Sequence, residues 1–221
     1  MKLPMFNKKG LVVLGLVFFT CFLISCQQPE NKIADENKTM RIPVAVNDSN
    51  FLSVDKSPMD MSYFPVDYPK DKMISPNLDK PVARVIYSRP QKNGRIIFAD
   101  STATRNFIQH YGKEWRLGAN ESTEIEFFKD VSVAGKHLSK GRYILYCIPY
   151  PDKWELIFND NLFSWGLHMD KSKDITKIEL PVIKTNTNTE FFTMVFQPAA
   201  YGCGLVMVWG DIKVTMPVSF R

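Results

Sequence analysis

The sequence predicts an all-β protein, an antiparallel β-sandwich of jelly-roll or barrel-like form with one short inserted helix. Three observations predict it. From Val82 onward, runs rich in β-branched and aromatic residues recur at spacings of about 8–15 residues. Gly, Pro and Asn punctuate those runs, and no segment sustains a 3.6-residue hydrophobic period. The chain of 221 residues is 45% hydrophobic and 13% aromatic, enough to fill one core.

The elements follow in order. Residues 1–25 have the layout of a secretory signal: Lys2, Lys8 and Lys9 precede an apolar run from Leu11 to Ile24. That run falls short of the ~20 residues a membrane span needs. Leu23-Ile24-Ser25-Cys26 reads as a lipobox, so the mature chain is expected to begin at Cys26 with acyl chains such as palmitate on its thiol. Cys21 is a poorer site, because Phe18-Phe19-Thr20 puts bulky rings where small residues are wanted. The alternative is an uncleaved signal anchor. Residues 26–50 are polar and read as a flexible tether, and residues 51–221 as a single β-sandwich domain.

Within that domain, the five prolines between Pro58 and Pro81 exclude a long helix and point to an extended arm carrying one short strand. Val82–Tyr87 is a strand, Lys92-Asn93-Gly94 a turn, and Arg95–Phe98 a second strand. Asp100-Ser101 are placed to cap a brief helix from Thr102 to His110, where Ala103, Phe107 and Tyr111 recur at four-residue spacing before Gly112. Further strands are expected at Glu121–Lys129, Val131–Leu138 (broken at Gly135), Arg142–Pro149, Trp154–Asn159, Ile175–Ile183, Phe191–Gln197 and Leu205–Val214.

Charge narrows the partners. The formal net charge is +5, but residues 1–25 hold three lysines and no acid, which leaves the mature chain about +2. So small an excess argues against nucleic acid as a partner. Cys147 and Cys203 lie in apolar strand-like runs; two buried thiols are expected, with a disulfide as the alternative an oxidising compartment permits. No cysteine pair has metal-site spacing, and His110, His137 and His168 are far apart, so no metal or cofactor is expected.

Several runs resemble the domain of unknown function 2911 family: Tyr87-Ser88-Arg89-Pro90, Asn93-Gly94-Arg95, the stretch Tyr111 to Glu121 with its Trp115-Arg116-Leu117-Gly118-Ala119-Asn120-Glu121 core, Gly141-Arg142-Tyr143, and Trp165-Gly166. The resemblance spans about Ser57 to Phe220. It implies a β-rich exported domain of didermal bacteria, often lipid-anchored, without an agreed activity. The stretch between Phe98 and Tyr111 is longer than that family's usual connection, which makes the expected helix an insertion.

The candidate ligand-binding residues are Arg89, Arg95, Trp115, Arg116, Asn120 and Glu121. Guanidinium groups beside an amide and a carboxylate can grip a carboxylate, phosphate or sugar through forked hydrogen bonds. Trp115 and Leu117 should face one way and Arg116 the other, and Gly118-Ala119 should let backbone approach closely. The competing account is an Arg116–Glu121 ion pair that ties loop to sheet. Aromatics from Tyr143 to Trp165 are either a sugar-stacking platform or core, and core is the commoner fate. Glu121, Glu124 and Glu126 read as alternating, solvent-facing strand residues.

Three functional readings stand on these residues. The first is a non-catalytic, ligand- or partner-binding module of the cell envelope, held to the outer membrane by acyl chains on Cys26 and facing periplasm or surface. The second is an envelope hydrolase of carbohydrates or esters, using Glu121 or a histidine; no Gly-x-Ser-x-Gly elbow supports it. The third is a purely structural lipoprotein.

Overall fold

The computed structural model describes residues 57–220. The segments expected as signal peptide (1–25) and tether (26–50), Cys26 included, lie outside the described residues. The strands are β1 (Met59–Phe64), β2 (Ala83–Ser88), β3 (Ile96–Ala99), β4 (Phe107–His110), β5 (Thr123–Phe127), β6 (Val131–Val133), β7 (Lys136–Leu138), β8 (Gly141–Pro149), β9 (Lys153–Asn159), β10 (Asp174–Pro181), β11 (Ile183–Ala199) and β12 (Gly202–Ser219), with one helix, α1 (Tyr68–Ile74). They form a six-stranded sheet of order β1-β2-β5-β8-β9-β10, a four-stranded sheet of order β11-β12-β6-β7, and a β3-β4 ribbon. Both large sheets are antiparallel and neither closes into a barrel. The β3-β4 ribbon is parallel.

Alternation on the strands builds the core. Val85 and Tyr87 on β2, Ile125 and Phe127 on β5, Leu145 and Cys147 on β8, and Trp154, Leu156 and Phe158 on β9 all point inward from the first sheet. Phe192, Met194 and Phe196 answer from β11, and Leu205, Met207 and Trp209 from β12. Burying side chains of this size contributes about 1.5–3 kcal/mol each. On β12 the inward set changes phase: Cys203, Leu205, Met207 and Trp209 are buried before Gly210, then Ile212, Val214, Met216 and Val218 after it. The change falls at Gly210, which sits at φ 58° in a register irregularity, so the strand keeps an apolar inner face along its whole length.

The outer face of the first sheet is charged where it meets solvent. Arg84 pairs with Glu126 across β2 and β5, and Arg142 with Glu124 across β5 and β8, as the alternation of Glu124 and Glu126 predicts. Further along, Ile144, Tyr146 and Ile157 are buried on that same face, and the Tyr146 hydroxyl donates to the Asp174 carboxylate at 3.0 Å.

Two sequence expectations need correction. Thr102–His110 is not a helix: Asp100 closes a turn by accepting from the Thr102 backbone N–H at 2.8 Å, Asn106 sits at φ 60°, and Phe107–His110 is strand β4. So short a helix, carrying two β-branched threonines, is marginal by itself, whereas the β3 edge offers backbone partners. The helix lies instead at Tyr68–Ile74, within the segment read as an extended arm. Pro69 occupies its first turn, where a missing N–H does no harm. The strand expected in that arm is β1, paired with β2. Cys147 and Cys203 are buried free thiols. Among the described residues, no helix is long and apolar enough to cross a membrane.

Candidate functional site

The segment joining β4 to β5 is held from both ends. Trp115 makes a two-way backbone bridge with Cys147 of β8, with N···O distances of 2.8 and 2.9 Å. Its indole, 5% exposed, stacks on Trp209 at 5.6 Å between centroids and meets Phe98, Trp154 and Phe192 edge-on. The indole N–H donates to the Gly118 carbonyl at 3.1 Å. Leu117, fully buried, is forced to φ 54°, a left-handed conformation that costs a non-glycine residue about 1–2 kcal/mol. The Thr123 hydroxyl clamps it by donating to the Leu117 carbonyl at 2.7 Å. Gly118 lies against β2 so closely that a Cβ there would stand 2.9 Å from the Ser88 carbonyl oxygen. Strain of this kind concentrates at functional sites because only surrounding structure can maintain it.

With Trp115 and Leu117 turned inward, Arg116 faces a cleft of about 420 Å³. Arg95, Gln109 and Glu114 line it with Arg116, and Gly166 and Leu167 come from the loop after β9. That loop presses on the arginine stem. Gly166 is at φ 83°, and a Cβ on it would lie 2.9 Å from Arg116 Cβ and 2.4 Å from Ser122 Oγ. The Arg116 guanidinium donates to the Trp165 carbonyl at 3.3 Å and has no carboxylate within ion-pair range among the described residues. Partial burial pulls its pKa below the usual arginine value, because the charged form loses hydration.

Arg95 donates from Nε to the Lys92 carbonyl at 3.1 Å and from Nη2 to the Gln91 carbonyl at 2.7 Å, which fixes its fork at the cleft edge. Glu114 is the carboxylate of the cleft, and Lys171 engages it at 2.7 Å. Gln109 donates to the Glu114 carbonyl at 2.6 Å. The cleft therefore holds two guanidinium groups and one carboxylate that already has its cation.

Of the six residues singled out in the sequence, the structure brings Arg95, Trp115 and Arg116 to this cleft. Trp115 contributes a wall, its rings being packed into the core. Arg89 lies elsewhere, 3.3 Å from Asp60 and 3.0 Å from the Thr193 hydroxyl. Asn120 sits at φ 59° in a turn and donates to the Ser57 carbonyl at 3.2 Å. Glu121 is exposed, and the Arg116–Glu121 ion pair does not form among the described residues. Trp154, Tyr143 and Tyr146 belong to buried layers, whereas Trp165 is 58% exposed.

Sequence reasoning missed Gln109 and Glu114. Glu114 sits inside the recognisable Tyr111–Glu121 run, so its neighbourhood was marked although its role was not. Gln109 was hidden by its assignment to a helix. The histidines stay apart: the His110 ring lies tilted against that of Phe107 at 4.2 Å between centroids, and His137 and His168 are exposed.

Fold and cleft together define a class: an all-β sandwich with an arginine-lined cleft set where a strained loop crosses the sheet. A family model described as "Protein of unknown function (DUF2911)" matches residues 69–218, and the chain belongs to that family. No curated protein and no solved structure matches it.

Proposed function

We propose that this protein is a lipid-anchored binding module of the bacterial cell envelope that holds a small anionic ligand, a carboxylate or phosphate, in the Arg116 cleft without chemically altering it. The observation that carries the reading is the half-buried Arg116 guanidinium lining the cleft, which donates to the Trp165 carbonyl and has no carboxylate within ion-pair range among the described residues. A partly desolvated guanidinium in that state gains from an anion supplied from outside through charge-assisted hydrogen bonds. The anchor rests on the sequence, on the Leu23-Ile24-Ser25-Cys26 lipobox behind a short apolar run.

Two measurements test it. Thermal shift of the full-length protein with phosphate, succinate or citrate should show stabilisation by at least one anion, growing with its concentration. Arg116→Ala should abolish that shift while moving the ligand-free melting temperature little. If the variant responds to anions like the parent, or unfolds far more readily without ligand, Arg116 is structural. Radiolabelled palmitate should enter the full chain and not Cys26→Ala; equal labelling of both removes the anchor.

A further inference from the structure

The β11–β12 pairing is regular from Thr193 to its turn and irregular towards the start of β11. Lys184 pairs with Ile212 and Thr189 with Gly210, so five residues of β11 advance against two of β12. Four residues, Thr185-Asn186-Thr187-Asn188, thus stand opposite Asp211 alone, a surplus of three that swings out of the ladder as a large bulge. Nothing in the sandwich core asks for them, since Asn186, Thr187 and Asn188 are exposed. Bulges are enriched next to binding sites because they re-aim side chains without breaking a sheet.

Here the bulge forms one wall of a cleft of about 580 Å³, well within the ~300–1,000 Å³ of small-molecule sites. The cleft's apolar lining comes from Ile96, Ile97 and Phe98 of β3, Ile212 of β12 and Tyr111. Ile97, Phe98 and Ile212 belong to the buried core, so exposed Ile96 and half-buried Tyr111, whose ring lies 5.6 Å from that of Phe98, are what the cleft presents. The charges at the rim are engaged by the protein. Lys184 pairs with Asp211 at 2.9 Å, Lys92 donates to Asn188 Oδ1 at 3.1 Å, and Arg95 is bound to two carbonyls.

We propose that this second cleft binds a hydroxyl-rich ring, a sugar in pyranose form. Thr185, Asn186, Thr187 and Asn188 carry hydroxyls and amides that donate and accept alike, as sugar hydroxyls do. Thr185 Oγ1 bonds to Thr187 and Asn188 Oδ1 accepts from Lys92, which orients their remaining donors and acceptors. The C–H face of a pyranose is apolar and fits against Tyr111 and Ile96, giving the aromatic-plus-amide arrangement that orients such a ring. Because the nearby charges are satisfied internally, recognition runs through neutral hydrogen bonds. The site shares Arg95 with the Arg116 cleft, but the residues argued to hold the sugar, Thr185–Asn188 and Tyr111, do not line that cleft.

The test is backbone amide NMR of the full-length protein in detergent, titrated separately with glucose, galactose and N-acetylglucosamine, and with phosphate for comparison. At least one sugar should move the amides of Thr185–Asn188 and Tyr111 in a saturable manner. The Asn186→Ala/Asn188→Ala double variant, altered only at exposed positions, should weaken that sugar about tenfold or more, as the loss of one or two hydrogen bonds requires, and leave the phosphate response intact. If none of the three sugars moves these amides, or the double variant binds as the parent does, the proposal falls.

Discussion

The hydroxyl of Tyr87 on β2 accepts the backbone N–H of Met194 on β11 at 2.9 Å, a hydrogen bond that passes from one sheet to the other through the core. The same hydroxyl lies 3.2 Å from Asp60 on β1 and 3.3 Å from the Met194 carbonyl, either of which can take its proton. Its ring meets Phe192 edge-on at 5.8 Å. Tyr87→Phe would keep the ring and orphan the buried Met194 N–H. The expected loss is about 1–3 kcal/mol, read as a lower denaturant midpoint with an unchanged slope.

Alkaline pH should find the same residue. Burial, the largest cause, raises the Tyr87 pKa to about 12, and burial together with the Asp174 carboxylate raises that of Tyr146 as well. A phenol whose pKa is higher in the folded chain contributes stability that is complete below its unfolded pKa of about 10 and is lost as pH climbs through the folded value. Stability should therefore be insensitive to these groups below pH ~10 and fall above it. Tyr146→Phe should flatten that fall, and an unchanged slope in pH-dependent denaturation would contradict the assignment.

Gly166→Ala should damage the cleft more than the fold. The added methyl meets Ser122 Oγ and Arg116 Cβ, and φ 83° disfavours any side chain. The loop must lift, breaking the Trp165 carbonyl contact with Arg116. A global loss of about 1–3 kcal/mol is expected, with hydrogen exchange accelerated in 162–168 and unchanged in β8. Unaltered exchange in that loop would show that it does not lean on Arg116.

The two thiols should be silent until the protein opens. Burial pushes the Cys147 pKa well above its ordinary value and that of Cys203 up to about 12, so neither offers thiolate at neutral pH. A maleimide should label neither in the native protein and both in denaturant, without prior reduction. Fast native labelling at Cys147 would mean that the Trp115 bridge frays.

Most strands were legible because alternation writes itself into sequence when one face is buried: Val85 and Tyr87, or Trp154, Leu156 and Phe158, can face inward only in a strand. Elements that bury nothing were harder to see. Helix α1 has no buried residue, and the first half of β11, Lys184-Thr185-Asn186-Thr187-Asn188, has no apolar pattern to read. The helix expected at Thr102–His110 rested on spacing alone, and the β3 edge outweighed it. In the candidate site, Arg116 and Trp115 were marked by composition, and their division between cleft and core followed from strand parity. The Arg116–Glu121 pairing rested on nearness in sequence; Asn120 between them is left-handed, and no such ion pair forms among the described residues.

The distribution of tryptophans has a practical consequence. Trp115, Trp154 and Trp209 are sealed in the core, at 5%, 0% and 0% exposure, while Trp165 stands 58% exposed on the loop whose carbonyl touches Arg116. A soluble collisional quencher such as iodide will reach a single tryptophan, so the protein carries a natural optical probe on the loop that borders the cleft. Occupancy there becomes visible as a change in accessible fluorescence, with no label attached and no residue altered.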